Sequence, residues 1–541
     1  MSAGTAPSIA PGARRLTLAA MILANSMILV DQTAVPLATP DLIQDLGGSI
    51  SEGPWILTAN IIPLAALMVL GGRLGDILGL RRVFLAGAFL FIASSILVGA
   101  SQDVPWAIGA RATQGMGAAL MMPTALAIVS AVYPAADRGR ALGILAGASA
   151  FFAALGPVMG GVLTSLDWRL VFLINVPLAT ATVLLTLRST PSLAPDPGAE
   201  RRIDLPGTIT FGLGMALIVF ALTQGNGNNW GQPEVIGGFA AAAVLLVAFV
   251  AIERRVSTPL IEFRLFRHLN FLAANISQVL AGMVELGMGF LLPAYLLLVV
   301  GVSPEIAGLM LIPSTIPIIL AGPLAGRAFD RIGGRAPLVV GFLLLAASGI
   351  ALALAVPEES FAVLIPGLLL QGAGLGIVLT VNDPTGLTAV PERDRGQAAG
   401  MINTTEQLGG ALGIAGLTAI LLEYYWHRLE ERFAEQGIKV TQAEIDQGRE
   451  FILKAEEQGR GHTVAEGKIR YALGDIIDSH VAAYELTFFV AGGIALLGAI
   501  ACFVLVRRSD RVTEERVFAR RSRWIYAASG RSGAVTRRPP P

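Results

Sequence analysis

Long apolar runs broken by short charged connections dominate the pattern of this chain. Fourteen of them approach the length that a helix needs to cross a bilayer core, about 20 residues. They are Leu16–Ala38, Trp55–Gly71, Val83–Ala100, Trp106–Val132, Ala141–Thr164, Leu170–Leu187, Gly207–Thr223, Val235–Ile252, Phe271–Val299, Ile306–Ala325, Pro337–Val356, Phe361–Val390, Gln397–Leu422 and Leu486–Val506. The first run ends in V-D-Q-T-A-V-P rather than a small-residue cleavage site. It therefore predicts a first transmembrane helix and not a cleaved leader. The pattern as a whole predicts an all-α polytopic membrane protein.

The connections give the expected orientation. Those following even-numbered runs hold seventeen arginines, among them Arg81, Arg138, Arg202, Arg255, Arg331 and Arg395. The short connections on the other side hold Arg169 alone. Lys and Arg mark cytoplasmic loops, so both termini are expected in the cytoplasm and the chain in the plasma membrane.

One charged turn occurs twice. Gly72–Arg81 and Gly326–Arg335 both fit G-R-x-x-D-x-x-G-x-R, offset by 254 residues. Further pairs repeat at an offset of 257: Gln114-Gly115 with Gln371-Gly372, and Arg138-Gly139 with Arg395-Gly396. Register of this kind implies duplication. Each turn follows the second run of a six-run half, so runs 7 and 8 are a central insertion. The expected organisation is a six-helix bundle over 1–188, a linker with two extra helices over 189–268, a second bundle over 269–508, and a basic cytoplasmic tail over 509–541. Parallel repeats about an axis along the membrane normal are a transporter design.

Two segments stand apart. Residues 423–483 form a charged external loop with twelve acids and eight Lys or Arg, expected to be an amphipathic cap, with a substrate-access or partner role as the alternative. The tail carries eight arginines against three acids, which suits anionic lipid.

Composition narrows the chemistry. The chain is 54% hydrophobic and 14% charged with no net charge, so nothing points to nucleic acid. Cys502 has no disulfide mate, the four histidines are scattered, and there is neither a metal-ligand cluster nor a G-x-x-x-x-G-K-[ST] loop. No nucleophile–base constellation is visible, so an enzyme is not expected. No cofactor is expected either, and the energy source would be a proton gradient.

Four motifs carry candidate mechanism. The repeated turn comprises Gly72, Arg73, Asp76, Gly79, Arg81 and Arg82, then Gly326, Arg327, Asp330, Gly333 and Arg335. Gly79 permits a tight turn. The first run ends L-V-D-Q-T-A-V-P-L-A-T-P, placing Asp31 inside the membrane. A carboxylate there costs about 2.5–3.5 kcal/mol on insertion scales, so it is rarely idle. The fourth run holds R-A-T-Q-G-M-G-A-A, with Arg111, Gly115 and Ala118 on one face. The fifth holds Gly143 and then Gly156-Pro157-Val158-Met159-Gly160-Gly161, a G-x-x-x-G contact face with a kink.

Taken in order, these motifs resemble the major facilitator superfamily, specifically the fourteen-helix drug:proton antiporters of the QacA/EmrB type. The resemblance implies the major facilitator fold, two six-helix bundles plus two inserted helices. It implies a conformational latch at the repeated turn, proton coupling at Asp31 and Arg111, and an export-associated motif at Gly143, Gly156, Pro157, Gly160 and Gly161. Pro36 and Phe152 depart from the family pattern. Plain alternatives stand beside each reading: a merely topogenic turn, a structural cap at Asp31, a structural pairing of Arg111, and close packing at the glycines. Asp167-Trp168-Arg169 and Phe172–Pro177 also resemble the family and are read as interface anchors rather than chemistry. Asn60, Gln114, Gln278 and Gln371, with the acids Glu285, Asp383 and Glu406, are candidates for proton or substrate contact or for buried pairing.

The function expected is proton-coupled efflux of small lipophilic drugs or natural products, cationic or neutral, by a monomer in the lipid bilayer. A major facilitator transporter of another class (amino acid, sugar, lipid or self-made metabolite) is the first rival. A receptor or scaffold is the second.

Overall fold

Fourteen helices are long and apolar enough to cross a membrane, one at each run that the pattern predicts. The structure, a computed structural model, describes residues 10–48, 52–191, 204–225, 230–256, 259, 261, 263–358, 360–391, 395–435 and 468–507. In chain order α1 is Pro11–Asp45, α2 Gly53–Leu78, α3 Leu80–Gly99, α4 Val104–Val132, α5 Ala135–Leu166, α6 Arg169–Ser189 and α7 Leu205–Gln224. Then come α8 Pro233–Glu253, α9 Leu269–Val299, α10 Pro304–Ile332, α11 Arg335–Ala355, α12 Phe361–Leu387, α13 Arg395–Glu435 and α14 Lys468–Leu505. Proline sits in the first turn of α1, α2, α4, α7, α8 and α10, where its missing N–H removes no helical bond. Two helices are interrupted: α6 at Ile174, and α10 at Leu311, just before Pro313.

The outside of the molecule is apolar. Phe89, Val244, Val247, Leu320, Leu354 and Phe503, from five different helices, all point outward. An apolar exterior this extensive belongs in lipid rather than water.

The two bundles, α1–α6 and α9–α14, repeat each other in detail. Gly79 and Gly333 close the duplicated turns with φ of 96° and 80°, a region where a side chain is strained. Each donates its N–H to the carbonyl four residues back, Gly75 or Phe329, at 2.9 Å. Arg81 then donates to the Leu187 carbonyl at the end of α6, 2.8 Å away. Arg335 instead lies over the Phe503 ring near the end of α14, 4.5 Å from its centre. Both turns are thus tied to the last helix of their own bundle, by different chemistry. Inside, Gly115 of α4 abuts the Asn60 backbone of α2, and Gly372 of α12 abuts the Ser314 backbone of α10.

The inserted hairpin α7–α8 lies across the seam between the bundles. Phe211, Met215 and Phe249 pack with Val69 of α2 and with Leu408 and Leu412 of α13. Phe220 meets Trp55 of α2 with ring centres 6.1 Å apart, and Trp230 donates to Glu423 of α13 at 3.2 Å.

The segment between α13 and α14 differs from expectation at both ends. Instead of a separate cap beginning at 423, α13 runs on to Glu435 and α14 already starts at Lys468. Tyr425, Trp426 and Leu429 stay buried, so the apolar stripe of α13 outlasts its membrane run. Arg432 pairs with Asp478 at 2.8 Å, and Tyr425 stacks on His480 with ring centres 3.8 Å apart, joining the two extensions. The expected cap between them, 436–467, and the basic tail lie outside the described residues.

Candidate functional site

Asp31 and Arg111 meet in the middle of the first bundle. Arg111 Nη1 lies 2.5 Å from Asp31 Oδ2, and each side chain is 1% exposed. Neither charge reaches water, so every polar atom needs a protein partner. Arg111 Nε donates to the Ile56 carbonyl of α2 at 3.0 Å, and Nη1 also donates to Gln114 Oε1 at 2.6 Å. The second carboxylate oxygen, Asp31 Oδ1, accepts from Asn175 Nδ2 of α6 at 3.1 Å and from Gln114 Nε2 at 3.3 Å. Gln114 Nε2 donates in addition to Ser95 Oγ of α3 at 3.0 Å. Phe172 of α6 covers the guanidinium, 5.5 Å from ring centre to Cζ, a favourable place for a desolvated cation. Asn60 is buried behind the pair and donates to the Arg111 backbone carbonyl at 3.5 Å. Five of the six helices of this bundle therefore contribute to one ion pair.

The break in α6 places two of those groups. Ile174 interrupts the helix between Phe172 and Asn175, and both residues are buried toward α1 and α4. The Phe172–Pro177 segment is thus more than the interface anchor read from sequence: it solvates the pair. The neighbouring Asp167-Trp168-Arg169 is tied to the end of α1. Arg169 pairs with Asp45 at 2.7 Å, and Trp168 Nε1 donates to the same carboxylate at 3.1 Å.

The glycine motif of α5 divides between two neighbours. A side chain at Gly156 would strike Thr33, and one at Gly160 would meet Ala34, both on α1. Thr33 donates across this contact to the Ala153 carbonyl at 2.9 Å. Gly161 lies instead against the Pro304 backbone of α10, and the Pro157 backbone fills the place where Gly308 of α10 has no side chain. One face of the motif packs within its bundle; the other crosses to the second bundle. Gly143 lies on the same helix, with its surroundings outside the described residues.

Among the described residues the second bundle shows no counterpart of the ion pair, and Leu368, which occupies the Arg111 register, is buried. Its acids are placed differently. Glu285 on α9, Asp383 on α12 and Glu406 on α13 are each partly open rather than sealed. Glu285 and Asp383 both lie within electrostatic reach of Glu406. Glu406 Oε2 accepts from Gln278 Nε2 at 2.6 Å, and Gln278 Oε1 accepts from Asn382 Nδ2. Asn382 also accepts from Ser277 Oγ at 2.5 Å and donates to the Ala274 carbonyl at 2.9 Å. Glu285 Oε2 has no hydrogen-bond partner. Gln371 is buried on α12.

The latch candidates lie together at the face where α1 begins and α14 ends. Gly72 and Gly326 occupy equivalent places: a side chain added at either would meet, at ordinary contact distance, Pro123 of α4 or Thr380 of α12. Arg73 is half-buried, whereas Asp76, Arg82, Arg327 and Asp330 are exposed.

Sequence reasoning missed Ser95 and Asn382, single polar residues in apolar helices whose signal was only their polarity. It also missed Gln32 and Gln407, which share a hydrogen bond of 3.0 Å between the bundles. Among the described residues no group of three or more His, Cys, Asp or Glu side chains is arranged to hold a metal ion.

Residues 20–414 match the family model of the Major Facilitator Superfamily. The chain is 30% identical over 509 residues to the tetracenomycin C resistance and export protein of Streptomyces glaucescens, covering 92% of this chain and 93% of that one. It is 34% identical over 416 residues to a puromycin resistance protein of Streptomyces alboniger, covering 74% and 81%. Among solved structures it resembles a bacterial homologue of the human lysosomal transporter Spinster, with a TM-score of 0.64 and 16% identity over 93% of this chain and 99% of that one. Fourteen membrane helices, a duplicated six-helix plan and a family match across most of its length show that this chain belongs to the Major Facilitator Superfamily and is a polytopic membrane transporter.

Proposed function

We propose that this chain exports small lipophilic, cationic drugs or natural products across the plasma membrane in exchange for protons. The observation that carries the reading is the Asp31–Arg111 pair, fully buried and contacted by three other side chains, Gln114, Asn175 and Phe172. A scaffold or receptor has no need of it. Removing one partner of a buried pair costs about 3–5 kcal/mol, because the other charge is left uncompensated. Protonating Asp31 does the same reversibly: it leaves Arg111 without its counter-charge and destabilises whichever access state holds them together. The substrate side of the exchange falls to Glu285, Asp383 and Glu406, which are half-buried rather than sealed. Resistance and export proteins among the relatives support export.

The bundles would span 1–188 and 269–508 and rock about the contacts of Gly161 and Gly308. The segment 189–268 would supply the hairpin over the seam, and 509–541 a tail on the inner leaflet. Both termini lie in the cytoplasm in this reading, and one chain suffices, since both bundles are covalently joined. One charge moving through 100 mV is worth about 2.3 kcal/mol, enough to accumulate a substrate against a gradient. The test is ethidium transport in inverted vesicles with an imposed pH gradient. Uptake that collapses with the gradient supports exchange; uptake indifferent to it ends the proposal.

A further inference from the structure

Three successive residues of α1 serve three different neighbours. Asp31 turns to Arg111 of α4, Thr33 bonds the Ala153 carbonyl of α5, and between them Gln32 reaches into the second bundle. A helix turns by about 100° per residue, so consecutive side chains fan over most of its circumference. Gln32 Nε2 donates to Gln407 Oε1 of α13 at 3.0 Å, and both amides are buried. Gln407 follows Glu406 in the chain as Gln32 follows Asp31. The bond therefore joins the residue beside the sealed acid to the residue beside the open one.

The helices on either side leave little slack. Gly409 of α13 abuts the Val279 backbone of α9, and Gly282 of α9 abuts the Glu406 backbone. Gly156 and Gly160 hold α1 equally close to α5. Helices packed at this density shift as units rather than deform. A turn of α1 is then felt at α13 through the contact that joins them.

We infer that the Gln32–Gln407 pair carries the protonation state of Asp31 to Glu406, as a positioning contact and not as a proton carrier or substrate ligand. The inference rests on the proposed roles of Asp31 and Glu406. The charged groups facing this region are Asp31 on α1, Arg111 on α4, Glu285 on α9, Asp383 on α12 and Glu406 on α13. The amides themselves do not titrate. While Asp31 is ionised, its bond to Arg111 fixes the rotation of α1 and keeps Gln32 in register with Gln407. Neutral Asp31 frees that rotation, and hydrogen bonds weaken steeply once misaligned. Such coupling is reciprocal: a cation at Glu406 changes the proton affinity of Asp31 by the same factor.

A double-mutant cycle tests it in the purified full-length protein. Asp31→Asn mimics the protonated acid; Gln407→Met removes the acceptor at nearly constant length. Tetraphenylphosphonium binding is measured in four proteins: the parent, each single variant and the double variant. Asp31→Asn is expected to change the Kd by about fivefold or more in the parent, the low end of typical coupling, and by less than about twofold beside Gln407→Met. Equal changes in both backgrounds overturn the bridge and leave the roles of Asp31 and Glu406 standing. No change in either background overturns those roles and the bridge together. Hydrogen–deuterium exchange of the 401–412 stretch of α13, read over the same four proteins, applies the test without a ligand. Gln32→Met repeats it from the other side should Gln407→Met fold poorly.

Discussion

The two bundles share a scaffold and differ in where they put charge. Gly115 on Asn60 and Gly372 on Ser314 are the same contact made twice, as are the turns at Gly79 and Gly333. Yet the first bundle buries one ion pair completely, and the second holds three carboxylates that remain partly open. In the proposed exchange the sealed pair answers to a proton and the half-buried carboxylates to something larger. Duplication supplied two copies of the scaffold, and divergence of a few side chains gave each copy its own arrangement of charge.

The sharpest way to break this comparison is Arg111→Ala. It strands the Asp31 carboxylate in a site with no water, and removes the donors to Ile56 and Gln114 as well. The expected cost is about 3–5 kcal/mol, read as lost thermal stability and lost yield of folded protein in the membrane. Wild-type stability would mean that the pair is not sealed. Asp31→Asn comes next and separates chemistry from folding. The amide oxygen still accepts from Arg111, so the protein should insert and fold, while proton-driven efflux falls below detection. Full dye export by this variant in inverted vesicles would remove Asp31 from the mechanism.

Gly156→Leu tests the scaffold rather than the charges. Its side chain would meet Thr33 and push α5 off α1, beside the ion pair. Overpacking of this kind costs about 1–3 kcal/mol, and transport should fail before folding does. Gly416→Leu on α13 is the control, since nothing lies within 4 Å of that site. Equal loss in both variants would show that bulk anywhere on these helices is harmful, and that the α1–α5 contact is not special.

Much of this was legible in the sequence, because apolar runs and glycine turns report local requirements. A run of about 20 apolar residues has few options other than spanning, and a repeated G-R-x-x-D-x-x-G places its turn whatever surrounds it. Asp31 and Arg111 stood out because charge in an apolar run is costly. Their partners did not. Ser95, Phe172 and Asn175 look ordinary in their own helices, and become a site only when α3 and α6 close on α4. Gln32 and Gln407 are 375 positions apart, and no local pattern joins them. Helix α13 was misjudged at its end for a related reason. Its charged residues lie on the outer face of a stripe that Tyr425, Trp426 and Leu429 keep buried, so composition changed before the helix did.

The smallest expected effect is the one that tests the second bundle. Glu406→Gln keeps the acceptor for Gln278 and nearly the same volume, so folding and the Gln278–Asn382–Ser277 chain should survive. What it removes is an ionisable carboxyl from a site it shares with Glu285 and Asp383. Binding of a lipophilic cation should weaken by roughly tenfold, equivalent to about 1.4 kcal/mol. A neutral compound of similar size should bind as before, since its contacts are apolar. The measurement is a pair of dissociation constants, cationic and neutral, in the parent and the variant. If both weaken alike, Glu406 shapes the cavity without meeting charge, and the second bundle is no more a cation site than the first. If the cation alone is affected, and the proton dependence of transport is retained, the division of labour between the sealed pair and the open acids holds.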